Sequence, residues 1–147
     1  KNNNEISEKK NRYMINDEML SNEILDTNNE SNNVRNEIFK LVEKYAKDHG
    51  ITILLKGPTD IISNGKITYL NEKKTPAMTV GGTGDVLSGL VAGMLSKSRN
   101  TLECAAAAAF INGLAGKSAQ KKLGLHLTST DILDEIPYVM KPFDKIV

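Results

Sequence analysis

The sequence predicts an α/β domain, and three observations carry that expectation. Residues 34–49 repeat apolar side chains at helical spacing and run through Gly50 straight into a β-branched apolar stretch, Ile51-Thr52-Ile53-Leu54-Leu55. A helix followed at once by an apolar strand is half of an α/β repeat. Two more short apolar runs meet at Asn64-Gly65, the dipeptide best suited to a tight hairpin. Residues 79–84 then form a glycine-rich turn that opens into an apolar helix, with a carboxylate, Asp85, at the junction.

Taken in order, residues 1–33 are dense in Asn, Glu, Asp and Lys and can bury little, so they read as a linker, an insertion or a loosely docked helix, with residues 17–25 able to make a short helix. The α/β unit is expected over residues 34–147. Its first helix places Val34, Ile38, Leu41, Val42, Tyr45 and Ala46 on one face and stops at Gly50. Residues 51–55 read as a buried, parallel strand. Lys56-Gly57-Pro58-Thr59-Asp60 follows at its carboxyl end, where open α/β sheets hold their ligands. Lys56 there is either a solvated strand end or a ligand contact. Residues 60–63 and 66–70 form the hairpin, and residues 71–78, interrupted by Pro76, form a polar loop.

The helix from Asp85 carries Val86, Leu87, Leu90, Val91, Met94 and Leu95 as a core stripe, with Gly89, Ala92 and Gly93 admitting a close neighbour. A second helix runs from Thr101 to about Lys121 through five consecutive alanines. Gly113 and Gly116 within it each lower helix propensity by about 1 kcal/mol, so both are expected to permit a contact with another helix or a ligand. Thr128 and Asp131 have the spacing of a capping box for a short terminal helix, and His126 ahead of it reads as structural.

Composition narrows the function. The 147 residues carry 19 Lys and Arg against 18 Asp and Glu, with no basic stripe, so no nucleic-acid partner is expected. The longest apolar run, residues 104–111, is too short to span a bilayer and is mostly Ala. No signal-peptide pattern is visible and the single cysteine, Cys104, has no internal partner, so cytoplasmic residence without membrane attachment is the expectation. His49 and His126 lie far apart without nearby cysteines, and no metal ligand is assigned.

The glycine turn is where chemistry concentrates. A helix start directs free N–H groups and the positive end of its dipole at whatever lies before it, which favours an anion. Asp85 beside such a site would repel phosphate unless it caps the helix or acts as a base on a group adjacent to the phosphate.

Lys56-Gly57-Pro58-Thr59-Asp60, the hairpin, the run Gly81-Gly82-Thr83-Gly84-Asp85-Val86-Leu87-Ser88-Gly89 and the Ala-rich helix together resemble the C-terminal half of a ribokinase-like domain. More narrowly they are similar to the ADP-dependent NAD(P)H-hydrate dehydratases. Sugar and vitamin kinases of that superfamily usually carry Asp-Thr-x-Gly-Ala-Gly-Asp, whereas Met78 here replaces the first Asp and Thr83 the Ala. Thiazole kinases end the turn in Cys where this chain has Asp85.

The resemblance implies a three-layer α/β/α fold, present as a partial domain with a parallel strand, a β-hairpin and flanking helices. It implies ADP or ATP with Mg²⁺, and hydrated NADH or NADPH as the substrate. Lys56, Gly57, Pro58, Thr59, Asp60, Gly82, Thr83 and Gly84 would line the adenine nucleotide site, and Asp85 would face the hydrated dinucleotide as substrate contact and catalytic base. No residue is named as the Mg²⁺ ligand. The missing half of the domain would supply central strands, so the chain is expected to work as a homo-oligomer or in assembly with that half. Two other functions stay open: a ribokinase-like kinase of a small hydroxymethyl or sugar substrate, and a non-catalytic nucleotide-binding or assembly module.

Overall fold

The computed structural model describes residues 12–15 and 29–145. Its elements in order are strand β1 (Arg12–Ile15), helix α1 (Asn29–His49), strands β2 (Ile53–Leu55), β3 (Asp60–Ser63) and β4 (Thr68–Asn71), and helices α2 (Thr83–Leu95), α3 (Thr101–Leu123) and α4 (Ser129–Met140). Single 3₁₀ turns sit at Pro76–Met78 and Lys141–Phe143. The tract set apart as a linker therefore contributes β1 and the opening turns of α1. The short helix expected over residues 17–25 lies outside the described residues.

The sheet has the order β1-β4-β3-β2. Strand β3 pairs antiparallel with both β2 and β4, the hairpin expected around Asn64-Gly65, while β1 and β4 run parallel. Side chains alternate across the sheet as the pleat requires. Phe39 and Val42 of α1 cover Ile61, Ile53 and Leu70 on one face. Leu102, Ala105, Ala108 and Ala109 of α3, with Leu87 of α2, cover Ile62, Leu54 and Tyr69 on the other. A third cluster joins Met78, Ala115, Ala119, Leu127 and Ile132 between α3, α4 and the turn that precedes α2. The alanines of α3 explain its place as the central helix: with small side chains it touches the sheet, α2 and α4 at once, and Ala108 and Ala115 are fully enclosed.

Three expectations change. The strand at residues 51–55 has no parallel partner among the described residues; β2 meets β3 alone, antiparallel, and its other edge is open. It is half-buried for that reason, with Ile51 and Leu55 exposed. Helix α1 buries Phe39, Val42 and Ala46, whereas Val34, Ile38, Leu41 and Tyr45, placed on the same expected face, stay exposed. Of the α2 stripe only Leu87 is buried; Val86, Leu90, Val91 and Met94 are half-covered and Leu95 is exposed. One physical cause accounts for all three. Among the described residues the sheet ends at β2, so apolar positions facing past that edge, on both sides of the sheet, meet no covering side chain there.

Candidate active site

The glycine turn is built by sterics before chemistry. Gly82 is the N-cap of α2 with φ 86° and ψ −13°, a left-handed conformation that side chains resist. A Cβ at that position would also stand 2.6 Å from the Ser129 hydroxyl oxygen, so the first residue of α4 closes on the turn from behind. The Gly82 carbonyl accepts from the N–H groups of Asp85 and Val86, both at 3.1 Å. The N–H groups of Thr83 and Gly84 precede any intrahelical acceptor and point outward from the helix start. Gly81 and Gly84 face open space: a Cβ on either would meet no atom within 4 Å. An anion can therefore approach this backbone closely. Thr83 itself is buried, its hydroxyl donating to the carbonyls of Met78 and Val80 at 3.3 Å each, so only its backbone is available to a ligand.

The second loop is braced from inside. Asp60 is completely buried, accepting from Gly57 N–H at 3.1 Å and from the Asn71 side-chain amide at 3.1 Å, and pairing with the Lys74 ammonium. It was expected in the lining of a nucleotide site; here it is without exposure and its partners are Gly57, Asn71 and Lys74, so it braces the loop from within. Thr59 is engaged too, its hydroxyl accepting from the Arg35 guanidinium at 3.0 Å while Arg35 pairs with Glu72 at 2.6 Å.

The structure brings the two loops together at Lys56. Lys56, Gly84, Asp85 and Ser88 line one cleft of about 620 Å³ between α2 and the open side of β2, floored by Leu54 and Leu87. Gly57, Pro58 and Thr59 turn instead toward a pocket of about 400 Å³ on the α1 side, which shares Lys56 with the cleft. The expected lining residues are thereby divided between two faces of one loop. Asp85, exposed at the start of α2, also ends a longer apolar groove of about 1100 Å³ between α2, α3 and α4. Asn71, Lys74, Arg35 and Ser129 escaped the sequence reading. Asn71, Lys74 and Arg35 lie outside any motif, Ser129 lies within the capping box of α4, and the roles of all four depend on neighbours distant in the chain.

Among the described residues no three His, Cys, Asp or Glu side chains cluster as a metal site, and no helix is long and apolar enough to cross a membrane. The open backbone at Gly81 and Gly84 suits phosphate. Asp85 is the one carboxylate lining the cleft, so Mg²⁺ there would take most of its oxygens from phosphate and water.

The fold, with a glycine turn and a lysine loop at one cleft, is that of part of a ribokinase-like domain, and solved structures agree. A Bacillus subtilis ADP/ATP-dependent NAD(P)H-hydrate dehydratase co-crystallised with ATP and Mg²⁺ superposes with a TM-score of 0.70 at 25% identity, over 77% of this chain and 42% of that one. A ribokinase-like protein from Enterococcus faecalis superposes at 0.64 with 30% identity, over 71% of this chain and 36% of that one. In sequence, the family described as NAD(P)H-hydrate dehydratase matches residues 18–138, and the chain belongs to that family. An ADP-dependent (S)-NAD(P)H-hydrate dehydratase of Nitrosopumilus maritimus is 76% identical over 115 residues, which are 78% of this chain and 40% of the relative. The corresponding protein of Cenarchaeum symbiosum is 62% identical over 106 residues, 72% of this chain and 37% of the relative. The chain thus spans about two fifths of the length of these relatives.

Proposed function

We propose that the protein containing this chain restores hydrated NADH and NADPH, removing the added water at the expense of the phosphoanhydride of ADP or ATP with Mg²⁺. The observation that carries the reading is the cleft in which Asp85 and the open backbone of Gly84 stand across from Lys56. The nucleotide supplies a phosphoryl group that turns the ring hydroxyl into a leaving group. The residues of this chain do the rest. Asp85 accepts the hydroxyl proton as the oxygen is phosphorylated, the N–H groups of Gly82, Thr83 and Gly84 hold the negative charge that develops, and Lys56 adds a positive charge on the opposite wall. The electron pair of the nicotinamide ring nitrogen then expels phosphate, and loss of a proton from the neighbouring ring carbon to water restores the ring double bond. Asp85 sits beside an anion site because the acidic proton and the phosphate meet at the same oxygen.

Gly57, Pro58 and Thr59 would border the adenine nucleotide from the neighbouring pocket. The open edge of β2 and the uncovered apolar side chains on both of its faces call for completion by further strands, from the remaining half of the domain or from another chain. A substrate drawn from the dinucleotide pool suits a cytoplasmic location. The test uses the complete protein, incubated with hydrated NADH and ADP or ATP while the reduced nicotinamide absorbance is followed. Recovery is expected, and Asp85→Asn should lower kcat at least about a hundredfold with nucleotide binding retained. No recovery, with phosphorylation of a small alcohol instead, identifies a kinase. Unchanged activity in Asp85→Asn removes Asp85 as the base.

A further inference from the structure

The geometry points to Lys74 as a positioning residue that sets the nucleotide-facing loop at residues 56–59 by clamping Gly57 from behind. Its ammonium donates to the Gly57 carbonyl at 2.7 Å and pairs with the Asp60 carboxylate, whose other contacts are the Gly57 N–H and the Asn71 amide. Gly57 is thereby held at both of its backbone polar groups, through one lysine and one aspartate. The Lys74 side chain is only 12% exposed and that of Asp60 1%. Burial lowers the Lys74 ammonium from its ordinary 10.5, the hydrogen bond and charge of Asp60 oppose that, and Lys56 adds a smaller lowering through its own charge. The Lys56 charge is therefore felt at the clamp.

The clamp is itself fixed to the glycine turn. Asn71 donates to the Ala109 carbonyl of α3 at 3.0 Å as well as to Asp60. The Lys73 backbone lies against Gly113 of α3 so closely that a Cβ there would stand 2.0 Å from the Lys73 carbonyl oxygen. Thr75 bonds to the Gln120 side chain, Met78 packs on Gly116, and the Met78 carbonyl accepts from Thr83. Residues 71–78 thus form one strap along α3, with the Lys56 loop at one end and the Gly82 turn at the other. Lys74 fixes where the first stands relative to the second.

The inference rests on the proposed nucleotide role of the loop, and the experiment separates the two. In the complete protein, titrate ADP and measure KM and kcat for Lys74→Met, Asp60→Asn with Lys74→Met, and Lys56→Ala. Lys74→Met should weaken ADP about tenfold with kcat within about threefold, the scale of losing a charge-assisted hydrogen bond. The double variant removes the unpaired buried carboxylate and should regain thermal stability while ADP stays weak, because Gly57 still lacks its clamp. If ADP affinity returns together with stability, or if Lys74→Met leaves ADP binding unchanged while Lys56→Ala weakens it, the positioning role is overturned. If Lys56→Ala also leaves ADP unchanged, it is the nucleotide reading of the loop that fails.

Discussion

Replacing Gly113 with alanine tests the strap directly. Helix propensity alone would favour alanine by about 1 kcal/mol in the interior of α3. The structure opposes that gain: the new Cβ would stand 2.0 Å from the Lys73 carbonyl oxygen, 2.7 Å from its carbonyl carbon and 2.9 Å from its Cβ. Ordinary contact demands a retreat of more than 1 Å by backbone, and the Asn71 and Lys74 anchors on either side resist it. Overpacking of this kind costs about 1–3 kcal/mol, and a backbone obstacle belongs at the upper end, so the net loss is about 2 kcal/mol. Gly89→Ala serves as the control, since a Cβ there meets nothing within 4 Å and should stabilise by about 1 kcal/mol. Urea unfolding should therefore place the two variants about 3 kcal/mol apart at equal m. Equal stabilisation of both would refute the close approach of strap and helix. Gly113→Ala should also weaken ADP binding, because displacing Lys73 displaces Lys74.

Two more outcomes follow from the same geometry. Gly82→Ala combines a left-handed φ of 86° with a contact of 2.6 Å to the Ser129 hydroxyl. It should cost about 2 kcal/mol or more, and adding Ser129→Gly should return only the steric part in a double-variant cycle read by urea unfolding. At acid pH, the Lys122 ammonium and then the Ser118 hydroxyl hold Glu135 below its ordinary 4.5, and the Thr128 hydroxyl and N–H hold Asp131 below 3.8. Folded carboxylates so lowered bind fewer protons than unfolded ones, so their stabilisation is complete above the ordinary values and lost as pH falls through the lowered ones. Glu135→Gln should flatten the fall of Tm below about pH 4.5; an unchanged acid limb would contradict the clamp between α3 and α4.

The cap and turn signals were legible because they are local. Gly50 ends α1 within a residue, Asn64-Gly65 joins β3 to β4, and Thr128 with Asp131 makes the expected capping box. The glycine run and Asp85 were legible for the same reason: positive φ, a helix start and a carboxylate in its first turn are properties of a few consecutive residues. Gly113 and Gly116 were expected to admit another helix or a ligand; they meet instead the segment at residues 71–78, at Lys73 and Met78.

What the sequence by itself determined is therefore the elements from the body of α1 onward and the glycine turn that ends in a carboxylate. Tertiary structure decided which face of each element is covered and which polar residue works from behind. Phe39 rather than Ile38 faces the sheet, Asp60 is buried under the loop it was expected to line, and Lys74, in a stretch with no motif, closes on Gly57 seventeen residues earlier. Periodicity records that a side chain is apolar but not whether a neighbour arrives to cover it. A short polar segment likewise carries no sign of the buried carboxylate that will draw its lysine inward.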